Sequence, residues 1–503
     1  MDFFNKIFKS SNKNRPGSSD QDPKMPESMF DFDTPRPDEG DVKCVTVLIV
    51  GAGSRGMCYT YYAVNFPKRM KIVGVADPRS CTKEALKMMH HIDEDKFFDD
   101  WREAAELEKF AEAVIIATPD RLHKEPAVAF AKKGYHILLE KPMAVTPEDC
   151  CEIVNTCKEN GVLLAVGHVM RYHPVSRKTR ELIDSGIIGD IVHIQHMEPI
   201  GYWHFAHSYV RGNWRNEEES TFSLLAKSCH DIDLICYWMG DRRCVKVSSF
   251  GTLSHFTKEN KPEGASSRCL DCSLEETCPY SAQKVYLNKA AQGNFGWPTS
   301  VVCSNGVYDI ESLTDALKTG PYGRCVYECD NDVVSNQVAE TAGSGERVLQ
   351  KEIWALMQRQ QVELSEGEIG SVRVVNMEFE GGQTAAFTMI AFSNDLGARK
   401  TQIYGTKGEI RCCGRGPIEV FDFVANKKTQ HLAKTVAFMP AHLSAHGGAD
   451  YYLIDSFISA VSNNDPSLII TGPDDTLRSH LLVFQAEKSR RENSVVHIDK
   501  DRQ

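Results

Sequence analysis

Apolar residues gather in five short, nearly continuous runs over the first third of the chain. These are Lys43–Val50 (KCVTVLIV), Lys71–Asp77 (KIVGVAD), Ala113–Pro119 (AVIIATP), Tyr135–Glu140 (YHILLE) and Val162–Gly167 (VLLAVG). A helix-compatible stretch follows the first run to about Phe66, and helical patterns fill 81–91, 122–133 and 147–160. Strands without polar alternation, separated by helices, predict a parallel sheet covered on both faces. From about residue 168 the pattern changes. Ile191–Glu198, Val245–Thr252, Val372–Glu380 and Thr384–Ser393 alternate polar and apolar residues, which predicts an antiparallel sheet with one buried face in a second domain. Helical text returns at 450–463 and 474–491. The stretch from about 253 to 335 interrupts the second domain with little periodicity. Residues 1–41, rich in Ser, Asp and Pro, have no sustained apolar period and read as a disordered leader. The expected organisation is α/β: a leader, a cofactor domain over 42–167, and a substrate domain over 168–495 carrying the insertion.

Composition narrows the partners. Of the 503 residues, 58 are Lys or Arg and 69 Asp or Glu, a net charge of −11. That acidic balance argues against non-specific nucleic-acid binding. No apolar run approaches the ~20 residues of a membrane helix, and the first residues, MDFFNKIFKS, lack the apolar stretch of a secretory signal. The 17 cysteines are odd in number and scattered, so a secreted disulfide framework is not expected and a cytoplasmic location is.

The first strand runs directly into Gly51-Ala52-Gly53-Ser54-Arg55-Gly56, and an acidic residue, Asp77, ends the second strand 21 residues beyond Gly56. Strand, glycine turn, helix and distant carboxylate together form a dinucleotide-binding fingerprint. Gly51 permits the tight turn, Gly53 admits the pyrophosphate and Gly56 lets helix pack on strand. The helix start then offers free N–H groups to the phosphates. Asp77 suits ribose hydroxyls and repels a 2′-phosphate, so NAD is expected over NADP; Arg79 softens that preference.

A later strand ends in Glu140-Lys141-Pro142. A lysine at the carboxyl edge of a parallel sheet faces the crevice where nicotinamide would lie, and partial desolvation suits it to proton transfer. GAGSRG, ATPDRLH, EKPMA and GHVMRYHP, in this order and spacing, resemble the glucose-fructose oxidoreductase / inositol dehydrogenase (Gfo/Idh/MocA) family over roughly residues 43 to 495. The resemblance implies a Rossmann domain followed by an α/β domain whose large open sheet holds the substrate and often an oligomer interface. It also implies redox chemistry on a sugar, cyclitol or related polyol. By position it implies that Glu140 and Lys141 form the catalytic EKP motif and that Thr118, Pro119 and His123 cover the cofactor. It further implies that His168, Arg171 and Tyr172 lie on the substrate side, and that His230 is a catalytic acid/base with Asp233 beyond it. The family's Asp four residues before that His is Ala226 here, while Lys227 stands three residues before His230; Lys227 is a candidate substrate residue. Read without the resemblance, a His with Asp at i+1 and i+3 also fits a satisfied buried group. Tyr202, Trp203, His204, His207 and Trp214 fit either sugar stacking or core packing.

Three cysteines within ten residues, Cys269, Cys272 and Cys278, with Cys325 or Cys329 from later in the insertion, have spacing compatible with a structural zinc site stapling a coreless insertion. An iron–sulfur cluster or unliganded thiols are the other readings. The function expected is NAD-dependent hydride transfer on a polyol. Two alternatives stand beside it: an NAD-dependent glycosidase or epimerase with a transient redox cycle, and a non-catalytic NAD-binding scaffold.

Overall fold

The computed structural model describes residues 43–499 except 304–305, 334–371, 415 and 437–438. The expected leader, 1–41, and the end of the insertion, 334–335, lie outside the described residues.

Six strands, β1 (Val45–Val50), β2 (Met70–Ala76), β3 (Phe97–Phe98), β4 (Ala113–Ile116), β5 (His136–Leu139) and β6 (Leu164–Val166), form one sheet in the order β3-β2-β1-β4-β5-β6. Every pairing in it is parallel. Helices α1 (Ser54–Asn65), α2 (Ser80–His90), α3 (Lys124–Lys132) and α4 (Pro147–Glu159) link and cover the strands. Alternate β1 side chains enter opposite cores: Val45, Val47 and Ile49 one, Leu48 and Val50 the other. This double burial explains the unbroken apolar runs. The register does the functional work. Val50 pairs with Ala76 and Ile116, and Ile116 with Leu139, so Gly51, Asp77, Ala117 and Glu140 leave the sheet level with one another on its carboxyl edge.

The second sheet has nine strands: β7 (Ile191–Pro199), β8 (Cys244–Phe250), β9 (Val372–Phe379), β10 (Thr384–Ile390), β11 (Lys400–Gly405), β12 (Gly408–Cys412), β13 (Ile418–Asp422), β14 (Lys427–His431) and β15 (Val496–His497). Their order is β14-β13-β12-β11-β7-β10-β9-β8-β15, and only β10 with β7 is parallel among these pairs. Helix α5 (Pro174–Asp184) leads into it, and α6 (Cys229–Met239) lies on its buried face, where His196 of β7 meets Asp231 at 3.1 Å. The alternation of β7 marks that face: Ile194, His196 and Glu198 are buried, while His193, Gln195 and Met197 are half-exposed. Within the insertion α7 (Ile310–Thr319) and short turns enclose a small core of Cys269, Ala282, Val285, Tyr286, Leu317 and Tyr322. The insertion was expected to lack a core. It has one, built from tyrosines, alanine and a thiol that carry little period.

The last two helices return to the first sheet. α8 (Ala449–Asn463) sets Asp455 against Tyr62 (2.6 Å) and Arg69 (2.8 Å), and α9 (Pro473–Glu492) packs on both α6 and α4. Between the sheets the Arg171 guanidinium grips both oxygens of Asp233 at 2.7 Å and donates to the Ile470 carbonyl at 2.9 Å. Both side chains are fully buried. Truncating one partner of such a pair strands a buried charge. Arg171→Met is therefore expected to lower the unfolding free energy by about 3–5 kcal/mol, read from urea unfolding; a change under about 1 kcal/mol would mean that the pair is not holding the fold.

Candidate functional site

Gly51 carries φ +83°, and a Cβ there would lie 2.7 Å from the Ala117 carbonyl. A Cβ on Gly56 would come within 2.0 Å of the Gly51 oxygen, whereas one on Gly53 would meet only the Arg79 guanidinium, at 3.6 Å. The turn is thus closed on its protein side and open above Gly53. No side chain caps the start of α1 and its first turn holds no acid, so its leading N–H groups remain for an anion. These features fit a dinucleotide. Asp77 accepts from Ala52 N–H (2.8 Å) and is clamped by Arg79 through Nε (2.9 Å) and Nη2 (2.7 Å). Burial pushes its carboxyl up, but those hydrogen bonds hold it below the usual range.

Two residues expected on the cofactor are engaged elsewhere. Arg55 donates to Glu140 (2.8 Å), Tyr59 (2.7 Å) and Asp450 of α8 (2.6 Å), and Glu140 also accepts from Tyr59 at 2.6 Å. Both serve as ties between the turn, the end of β5 and α8. His123 is braced between the carbonyls of Pro142 (2.7 Å) and Thr118 (2.9 Å), which fixes the Thr118–Pro119 loop at the sheet edge.

Beyond Glu140, the Lys141 ammonium donates to the carbonyl of Ala226 at 2.5 Å and lies 5.9 Å above the Trp214 ring. Trp214 is itself fixed by Asp120 at 3.0 Å. Adjacent to Ala226, Lys227 reaches to 3.5 Å from Glu198 of β7. His230, one turn on, places its ring 5.5 Å from His168. Burial, reinforced by the Lys141 charge, holds the His230 imidazole well below its ordinary pKa, hence neutral. Lys141 thus lies close enough to act electrostatically on both Lys227 and His230. Arg171, Tyr172 and Asp233 do not join them. Arg171 and Asp233 saturate each other, and the Tyr172 hydroxyl is bonded to Thr471 (3.2 Å) and the Ile470 N–H (3.2 Å). They support the site from beneath. His168 is also buried, beside His480 at 3.5 Å.

His446 was not anticipated. It sits at φ +51° in the turn before α8, its Nδ1 is 3.0 Å from the buried Asp450 carboxylate, and its ring is 6.4 Å from that of His230. The signal available in sequence is a His-Gly-Gly turn followed by Asp at i+4. In the aromatic stretch, His207 stacks on Tyr322 (4.9 Å between centroids) and bonds Tyr286 (2.8 Å), which is core packing.

The zinc expectation finds no support. Among the described residues no group of three or more His, Cys, Asp or Glu side chains is placed to hold a metal ion. Cys269, Cys272, Cys278 and Cys325 instead line a cavity of about 160 Å³. The buried Arg211 cation donates to the Cys269 sulfur at 3.2 Å, and Cys329 turns its thiol to the Cys325 carbonyl at 3.3 Å. None of the 17 cysteines is in a disulfide.

Two family models match the chain. One, for the oxidoreductase family's NAD-binding Rossmann fold, covers residues 45–168, and the other, for the same family's C-terminal α/β domain, covers 180–291. Both domains of this oxidoreductase family thus find their match in the chain, in order. Its curated relatives include the 2,7-anhydro-N-acetylneuraminate hydratase of Escherichia coli (strain K12), 29% identical over 217 residues, which are 42% of this chain and 55% of that protein. The NAD(+)-dependent scyllo-inositol 2-dehydrogenase of Bacillus subtilis (strain 168) is 27% identical over 215 residues, 43% of this chain and 58% of that one. The matched region thus spans a little over half of either relative. Among solved structures, levoglucosan dehydrogenase in complex with NADH and L-sorbose superposes with a TM-score of 0.60 at 16% identity, over 91% of this chain and 99% of the other. That likeness establishes a shared fold. No helix among the described residues is long and apolar enough to cross a membrane.

Burial depresses the pKa of His168 to about 3 and of His480 to about 4. In the unfolded chain both take up a proton near pH 6.5, whereas the native chain resists until about pH 4 or 3, so they destabilise the fold as pH falls from 6.5 towards those values. Each contributes up to about 1.4 kcal/mol per pH unit in that window. His480→Gln, which can still accept from the Met143 N–H, is expected to flatten the fall in urea-unfolding free energy between pH 6.5 and 4.5; an unchanged slope would refute a neutral buried His480.

Proposed function

We propose that the chain is an NAD-dependent oxidoreductase that moves a hydride between a CH–OH carbon of a sugar, cyclitol or related polyol and nicotinamide. The observation that carries this reading is Lys141. It leaves the carboxyl edge level with the glycine turn, and its ammonium is held by a carbonyl rather than a carboxylate, beside a neutral imidazole. Gly51, Gly53, Ser54, Gly56 and Asp77 would hold the dinucleotide, with Thr118 and Pro119 above it. When bound, the nicotinamide supplies the hydride acceptor or donor. Lys141 donates a hydrogen bond to the substrate hydroxyl and stabilises negative charge as it develops on that oxygen. His230, neutral at working pH, takes the hydroxyl proton in the oxidative direction and returns it in the reductive one. Trp214 floors this corner and keeps the Lys141 stem in place.

Residues 42–167 are assigned to the cofactor unit and 168–495 to the substrate unit. NAD is favoured over NADP because Asp77 faces the ribose position, although Arg79 already rests on that carboxylate and could turn towards a 2′-phosphate. Seventeen cysteines without a disulfide among them favour a reducing, cytoplasmic setting, and the half-exposed face of the nine-stranded sheet is the surface offered for a homo-oligomer.

A second reading is favoured by one observation. The His446–Asp450 pair gives the cleft another oriented imidazole near His230, which suits a glycosidase or lyase that oxidises, eliminates and re-reduces within a single cycle. The hydratase named among the relatives is compatible with such chemistry. Product formation without net NADH accumulation would select it.

Lys141→Met is expected to cut hydride transfer by about 10²–10⁴-fold while the NADH dissociation constant, read by fluorescence titration, stays within about threefold. Undiminished turnover would remove Lys141 from the chemistry and favour a scaffold role. Arg79→Ala is expected to weaken NADPH binding more than NADH binding. Equal effects in the same titration would show that Arg79 does not reach the 2′ position.

A further inference from the structure

One six-residue loop of the insertion, Gln292 to Trp297 (QGNFGW), is exposed at every position and carries two large aromatic side chains. Phe295 keeps 45% and Trp297 41% of its surface open to solvent. Large apolar side chains clustered in the open mark ligand or partner surfaces. Trp297 is nevertheless firmly backed. Its ring meets His204 edge-on at 4.7 Å, His207 at 5.2 Å and Trp203 at 5.4 Å between centroids. His207 is itself buried and bonded to Tyr286 at 2.8 Å, and the Lys289 ammonium covers the Trp203 ring at 3.7 Å. The open part of the Trp297 indole is therefore held in place. His204 joins this patch to the cleft. It lies six residues beyond Glu198, in the short helical turn Tyr202–Phe205 that follows β7. Burial, with the Lys227 charge next, holds its imidazole well below its ordinary pKa. From His204 the row of rings runs on through Tyr209, at 6.5 Å, to Trp214, a further 6.1 Å away, and Lys141 stands 5.9 Å above Trp214.

We propose that the outer end of this row is a second carbohydrate subsite: Trp297 and Phe295 take a sugar ring that is joined by a glycosidic bond to the ring reacting at Lys141 and His230. The proposal rests on the polyol reading above and narrows the substrate class to glycosides of at least two rings. A pyranose ring has a face of C–H groups and a rim of hydroxyls. The face sheds water against an indole, and the rim needs polar partners beside it. Asn294, whose amide oxygen accepts the Gly296 N–H at 3.3 Å, keeps its amide N–H groups for such a hydroxyl, and His204 stands between the two subsites. Continuity selects a tethered sugar over a partner protein. A protein would need only the loop, whereas rings 4.7–6.5 Å apart lead from the loop to the catalytic lysine. The insertion thereby lengthens the cleft as well as enclosing its own small core.

The test uses the full chain loaded with NADH and measures binding separately from turnover. Cellobiose, maltose and lactose are titrated against D-glucose and D-galactose by calorimetry, with phenyl β-D-glucoside as the aromatic comparison. At least one disaccharide should bind about five times tighter or more than either monosaccharide. Trp297→Ala should abolish that advantage with NADH binding unchanged, and Trp297→Phe, which keeps an aromatic face, should retain most of it. Phe295→Ala should weaken the same advantage, and it serves as the deciding variant if Trp297→Ala does not fold. Disaccharides that bind no tighter than monosaccharides, or an advantage that survives Trp297→Ala, would each overturn the proposal. So would a gain for the phenyl glucoside alone, which would assign the loop to an aromatic aglycone. A change of oligomeric state in Trp297→Ala, read by light scattering, with no disaccharide gain in the wild type would instead give the loop to a second copy of the chain. Failure of the hydride-transfer reading would look different: disaccharides would bind in a Trp297-dependent way, and no absorbance change at 340 nm would follow with NAD⁺.

Discussion

The guanidinium of Arg55 is the contact on which the site depends. It belongs to the glycine turn that opens α1, yet it reaches Glu140 at the end of β5 and Asp450 at the start of α8. Three parts of the chain, almost 400 residues apart in sequence, are thereby locked to one point. Glu140 sits next to Lys141, and Asp450 orients His446, so one cation sets the positions of two polar side chains that face the cleft. Two carboxylates share it, and burial makes both of them costly to leave unpaired. The tight turn, the lysine and the second imidazole are therefore parts of a single electrostatic assembly rather than neighbours by accident.

The parallel half was legible from sequence because burial on both faces leaves no room for polar residues, and because a glycine turn after such a strand has few other uses. The second sheet was only half legible. Strands β7 to β10 alternate clearly, but β14, Lys-Lys-Thr-Gln-His, lies at the sheet edge with no fully buried side chain, so nothing in its composition distinguishes it from a loop. Within the site, Lys141, Lys227 and His230, which the sequence motifs single out, lie near one another. Arg171 and Asp233, singled out in the same way, pair with each other instead. A sequence motif records that a charge is required, not whether that charge faces a ligand or another charge, and here the two answer each other. His446 was missed because its role depends on a left-handed turn and on a carboxylate that Arg55 holds in place.

The cysteines teach a related lesson. Their spacing matched a metal site, but spacing does not report what else projects into the space between them. Arg211 is buried among the thiols and donates to the Cys269 sulfur, and the tyrosines of the insertion supply the packing that a metal staple was thought necessary to provide.

One parallel pairing in an otherwise antiparallel sheet has a consequence for how the chain is made. β7 pairs through Ile194 with Ala385 of β10 on one side and Ile403 of β11 on the other. Both partners arrive about 190 residues or more after β7 itself. During synthesis the six-stranded half can close as soon as residue 166 is free, whereas β7 waits with both edges open until the whole insertion and the chain up to β10 have emerged. Contacts of such long sequence separation form slowly, and an open strand edge invites pairing with the wrong chain. The buried His196 and Glu198 on that strand make such mispairing unfavourable, because in any other partner's sheet those polar groups would be buried without Asp231, Arg399 and Lys227 to receive them. The charges that shape the cleft thus also guard the strand that carries them while it waits.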